Sequence, residues 1–202
     1  LYFYILTLII IYSGSFGPFI YDHFGYYLPT IKWLTEFGTV KGLANLELSQ
    51  AQASFWHIYQ AGFSSYIDPF LRINVFLLLT FIIYSFETRR WILLAFTPLF
   101  LIFTQSPSPD LVVYCLTLIT LNELFNYQKN AKFIFALSIY VFIIKPTVFW
   151  LPLFTGLYYL WLKKKNISFS VYGIVILGLY FFKNIWLFGY PIFPLAALDL
   201  GF

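Results

Sequence analysis

Eight acidic side chains are spread over this chain of 202 residues, and two of them stand where chemistry could be done. Asp22, in Tyr21-Asp22-His23, follows the turn-forming stretch Ser13-Gly14-Ser15-Phe16-Gly17-Pro18, which interrupts the first apolar run. A carboxylate held there, at the edge of an apolar segment, could take a proton from an attacking hydroxyl. Asp110 closes a second polar joint, Gln105-Ser106-Pro107-Ser108-Pro109-Asp110. Three cations complete the set. Lys145 precedes Pro146, Lys183 lies inside an apolar run, and Arg72 opens another. An ionisable side chain inside a bilayer span costs about 2.5 to 3.5 kcal/mol to insert, so Lys145 and Lys183 need partners or water. A phosphate leaving group would suit all three cations. The plainer readings are that Asp22 and Asp110 cap the turns that follow them, and that the lysines snorkel to headgroups.

Other chemistries find less support. His23 and His57 have no metal-ligand spacing with a cysteine or a second close histidine, and both read as solvated or interfacial. No metal site is therefore assigned, although a divalent ion at Asp110 is kept as an option. The single Cys115 sits in an apolar run as a small buried hydrophobe. Gly-rich phosphate loops, a nucleophile elbow and cysteine pairs are absent.

The elements that must position these groups are dictated by composition. Only 10% of side chains are charged and 61% are hydrophobic, whereas soluble domains carry about 25% charged residues. Aromatics make up 24%, and several Tyr and Trp stand near the ends of apolar runs, where amphipathic rings favour the headgroup layer. Seven apolar segments follow: residues 1–12, 69–86, 91–104, 111–127, 133–144, 147–162 and 169–186. The third and fifth fall short of the roughly 20 residues that a full crossing needs. The chain is thus expected to be an all-α, polytopic transmembrane bundle, one membrane domain over residues 1–202.

Residues 14–66 form the one long non-membrane segment. A helix is expected over Leu28 to Phe37, with Pro29 in its first turn, Lys32 and Glu36 spaced to pair, and Gly38 as its stop. A second, amphipathic helix is expected from about Leu48 to Ala61, lying in the interface. A loop of that length is more than a linker. If it is exoplasmic, the opposite joints collect Arg89, Arg90, Lys129, Lys132, Lys163, Lys164 and Lys165, which is the arrangement that cytoplasmic loops favour. The net charge of +4 is a topology signal of this kind and not a nucleic-acid footprint.

Several short motifs carry a likeness. Tyr21 to Leu28, Ile31-Lys32-Trp33 and Gly42-Leu43-Ala44-Asn45-Leu46 resemble the first exoplasmic loop of bacterial multi-spanning glycosyltransferase-like proteins of the GT-C superfamily. Ser106 to Asp110, Lys145-Pro146 and Gly189-Tyr190-Pro191 look like further landmarks. The resemblance implies a multi-pass protein of the bacterial inner membrane with a two-helix first loop on the periplasmic side. It also implies a polyprenyl-phosphate-linked sugar as donor, and a glycan, lipid or protein as acceptor. In that frame Asp22 is the catalytic aspartate, and Asp110 supports the acceptor or an optional metal. Lys145, Lys183 and Arg72 bind phosphate, and Tyr26 and Tyr27 line the substrate site. The sequence departs from the family pattern at Tyr26-Tyr27, where Tyr-His is usual, and at Glu47, where histidine is. Relatives carry a soluble domain after the bundle. That, and the absence of methionine even at position 1, lead to the expectation that the chain is part of a longer protein. The competing functions are a transporter or flippase of lipid-linked substrates, which predicts two repeated halves that the sequence does not show, and a non-catalytic scaffold of polysaccharide assembly.

Overall fold

The computed structural model describes residues 1–42, 54–126, 130–162 and 167–192. Among these residues every regular element is helical. They gather into two compact units, Leu1–Gly38 with Trp56–Cys115, and Thr39–Phe55 with Leu116–Phe202. No change in composition marks that division.

In the first unit, α1 (Tyr2–Ser15) packs along α4 (Ile73–Glu87). The expected turn at Ser13-Gly14-Ser15 is not there: α1 runs through it and ends at Phe16, ahead of Gly17-Pro18. These small residues serve packing instead. Ser13 Oγ donates to the Leu101 carbonyl at 3.3 Å and lies 3.0 Å from Thr104 Oγ1. A Cβ on Gly14 would collide with Val75 Cγ2. Because a valine in a helix is stiff at χ1, Gly14→Ala is expected to force the two helices apart. It should cost about 1–3 kcal/mol of stability, measurable as a lowered melting temperature.

The loop elements follow. A single π-turn, His23–Tyr27, leads directly into α2 (Leu28–Phe37), which has the expected ends, with Pro29 in its first turn and Gly38 at φ +69° as its stop. Lys32 and Glu36 lie one turn apart on α2. The second loop helix is described as α3 (Phe55–Ala61); Glu47 and the expected start of that helix near Leu48 lie outside the described residues. The same holds for most of the basic joints, Lys129 and Lys163 to Lys165 among them, and for Asp199.

The third apolar run is broken into α5 (Trp91–Leu94), α6 (Thr97–Phe100) and a 3₁₀ turn, Leu101–Phe103. Pro98 explains the break: it has no amide to donate, and its ring would collide with the carbonyl one turn earlier. α7 (Pro109–Asn126) follows.

In the second unit α8 (Ala131–Ile144) is the centre, packed by α9 (Trp150–Trp161) and α10 (Val171–Phe188). Leu124, Ile134 and Tyr159 form one buried cluster, and Ile139, Phe142, Ile143 and Tyr180 another. Among the described residues one helix, α10, is long and apolar enough to cross a membrane, while α1, α4, Trp91–Phe103 and α8 are apolar but shorter.

Candidate functional site

The site is assembled from the start of α4. Asp68 is buried, and its carboxylate accepts the amides of Arg72 and Ile73, both at 2.7 Å. Asp68 therefore caps α4. The chain reaches this geometry by holding Leu71 at φ +55°, a left-handed conformation uncommon for a side chain of that size. Burial of Leu71 offsets the strain.

Capped in this way, α4 presents two side chains to the segment before α7. The Arg72 guanidinium donates to the Gln105 carbonyl. Asn74, fully buried, directs Nδ2 at the carbonyls of Phe103, Ser106 and Ser108, at 3.2, 2.8 and 2.9 Å. Ser108 is thereby held at the head of α7, where its hydroxyl accepts the Asp110 amide at 3.2 Å and donates to Asp110 Oδ2 at 3.3 Å. The capping role considered for Asp110 belongs to Ser108.

The π-turn supplies the other half. Its bond from the Leu28 amide to the His23 carbonyl adds one residue to the turn, a device often found at functional sites. Tyr27 Oη is brought to 3.4 Å from Ser108 Oγ. The polar path Tyr27, Ser108, Asp110 is continuous, with each hydroxyl able to donate to the next group. Burial pushes the Tyr27 phenol up to about 12, and the carboxylates of Asp110 and Asp22 push the same way against the Ser108 hydroxyl. The Tyr26 phenol is raised by burial, then by Tyr27 and Asp22. Both phenols stay protonated near neutrality, so Tyr27 is available as a donor.

Asp22 precedes the turn, is exposed, and makes no side-chain capping bond. Its reading as a mere cap finds no hydrogen bond to rest on. Next to it, His23 is buried, and its imidazole is pulled down by desolvation and by the positive charge of Arg72. The first unit thus brings Asp22, Tyr26, Tyr27, Arg72 and Asp110 into one electrostatic neighbourhood.

Lys145 and Lys183 belong to the second unit. Lys145 ends α8 with extended backbone, as a residue before proline must. Lys183 Nζ stands over the rings of Phe55 and Tyr180, at 5.3 and 5.6 Å. Ser54 Oγ donates to the Ile144 carbonyl at 2.8 Å, so the Ser54-Phe55 pair meets both lysine neighbourhoods.

Both histidines depart from the solvated or interfacial reading. α3 turns Trp56, His57 and Gln60 inward and leaves Tyr59 exposed. His57 packs against Tyr26 and Tyr27, with ring centroids 5.4 and 5.3 Å away. Desolvation lowers it to about 4, with the backbone of Pro107 acting in the opposite direction. Asn74 also escaped notice, although a lone amide in the apolar run Ile73 to Phe76 signals a need for partners. Grooves open among the described residues of this unit. One, of about 340 Å³, is lined by residues including Lys32, Thr35, Glu36 and Ser64, and another, of about 370 Å³, by residues including Tyr59, Phe63, Ile67 and Phe76. Neither is lined by Asp22 or Asp110. Among the described residues no three His, Cys, Asp or Glu side chains are placed to share a metal ion.

A family model described as Domain of unknown function (DUF8201) matches residues 1–202. No curated protein and no solved structure matches the chain.

Proposed function

We propose that this chain, which belongs to the DUF8201 family over residues 1–202, is a multi-pass bundle of about seven spans in a bacterial inner membrane. It moves a sugar from a polyprenyl phosphate to an acceptor on the periplasmic side. The membrane part is supported by the polarity of its helices. α10 turns Ile174, Val175, Leu179, Phe182 and Trp186 outward and buries Asn184, while Asn74, Ser85, Thr120, Ser138 and Thr155 are buried in other helices. Apolar outside with polar inside suits lipid as the solvent.

The reaction rests on one observation: the Tyr27 hydroxyl, on the turn that follows Asp22, stands 3.4 Å from Ser108 Oγ, which donates to Asp110, while Arg72 donates to the Gln105 carbonyl at the start of the same joint. Two carboxylates and a cation are what an inverting transfer from a phosphate carrier needs. The acceptor hydroxyl attacks the anomeric carbon from the face opposite the phosphate. The carbon to phosphate-oxygen bond breaks, and its electron pair leaves on the polyprenyl phosphate. Asp22 takes the hydroxyl proton. Asp110 and Tyr27 orient the acceptor, Tyr26 borders it, and Arg72 neutralises the phosphate. A divalent ion, if used, would be held at Asp110 with substrate oxygens completing its shell.

Reconstitution tests the reading. Proteoliposomes given synthetic polyprenyl-phosphate-linked radiolabelled sugars and bacterial envelope glycan are expected to transfer label, and to gain nothing from nucleotide sugars. Neither transfer nor carrier binding from any polyprenyl-linked donor would remove the transferase. Transport of the intact donor across the bilayer would replace it with a flippase.

A further inference from the structure

Behind the tyrosine pair, the inward face of α3 carries two polar side chains with nothing to bond. His57 is 0% exposed and Gln60 is 1% exposed. Among the described residues neither ring nitrogen of His57 and neither amide atom of Gln60 has a hydrogen-bond partner, and the Pro107 backbone acts on the imidazole without meeting hydrogen-bond geometry. Asn74 Oδ1, on α4, and Ser106 Oγ, next to Pro107, are also without one among the described residues. Native interiors leave few such groups, and an imidazole and a carboxamide on successive turns of one short helix, each with both of its polar atoms so placed, mark a place that a polar ligand completes. The chemistry of that ligand is legible in the groups themselves. A neutral imidazole offers one donor and one acceptor, and a carboxamide offers donors and an acceptor together. Hydroxyl groups, each both donor and acceptor, match this set. A phosphate, which only accepts, would leave the imidazole's lone pair and the carboxamide oxygen without a donor. The rings of Tyr26 and Tyr27 beside His57 add apolar faces for the C–H surface of a sugar ring.

We infer that His57 and Gln60 form a hydroxyl-recognising subsite for the uncharged sugar ring of the donor, reached when α3 moves off the tyrosine pair. The inference rests on the transferase reading and deepens it: Arg72 meets the phosphate, and α3 reads the sugar.

The test is the double variant His57→Phe/Gln60→Leu in the full chain, in nanodiscs. Both replacements are slightly larger apolar side chains that remove polar atoms without partners among the described residues, so the ligand-free variant is expected to melt near the wild-type temperature or above it. Binding is then measured with a short-chain prenyl phosphate and with the same compound carrying a sugar. Wild type is expected to bind the sugar-bearing form at least tenfold more tightly. The variant should keep its affinity for the bare phosphate and lose that preference. A variant that melts well below wild type overturns the inference, because the two side chains would then be serving the fold. Retention of the preference also overturns it, and assigns the subsite to buried water alone. A wild type that binds both compounds alike removes the inference and leaves the transferase standing. Binding of neither compound removes both.

Discussion

Asp22→Asn is expected to lower sugar transfer by about a hundred- to ten-thousand-fold, the range that a positioned general base contributes. The substitution is nearly silent for the fold. Asp22 is exposed and caps nothing, and an amide of the same shape keeps an oxygen to meet the Tyr27 hydroxyl, so the π-turn is retained. What changes is basicity: an amide cannot accept the proton released as the acceptor oxygen attacks. The loss should therefore fall on kcat, with carrier affinity retained, because an interaction made only in the transition state has been removed. Asp110→Asn should be milder. It weakens the bond from Ser108 Oγ but keeps an oxygen that can accept, and its effect belongs in acceptor KM. Transfer measured with purified variants in proteoliposomes separates the two. Full turnover by the Asp22→Asn enzyme would sink the assignment of the base, whatever the rest of the site does.

The difference between these residues shows how far the chain can be read from its sequence. α2 was legible end to end, because proline at one end and glycine at the other are local signals with local causes. The helical runs were legible for the same reason, apolar length being a property of a segment taken alone. The third run broke where Pro98 says it must. What failed depended on partners. Gly14 looks like a turn former until α4 is laid against it, and then it is the residue that lets Val75 approach. His57 looks amphipathic on its own segment, and only the Tyr26-Tyr27 pair, some thirty positions away, shows that it faces inward. The proposed base, being exposed and outside any cap, was the easiest member of the site to find. The groups that hold the site's shape were the hardest, since an asparagine carries no mark of which carbonyls it will meet.

Asn74 is where that hidden part should have its largest effect. Its amide is the donor for the carbonyls of Phe103, Ser106 and Ser108, all on the segment that sets Ser108 and Asp110 at the head of α7. Asn74→Leu keeps the branched heavy-atom skeleton and removes the donor, leaving buried carbonyls without that bond. At about 1–3 kcal/mol for a buried group so orphaned, the expected loss is roughly 2–4 kcal/mol. Transfer should fall with it, because the Tyr27 to Asp110 path runs through Ser108. Asn74→Asp distinguishes lost packing from lost donation. It is the closer match in shape, yet when ionised it points a carboxylate at three carbonyl oxygens. Asn74→Asp should thus melt below Asn74→Leu at neutral pH, because a buried charge facing carbonyl oxygens costs more than a missing donor. Equal melting temperatures for the two variants would mean that the amide holds the 103–108 segment by shape and not by its hydrogens.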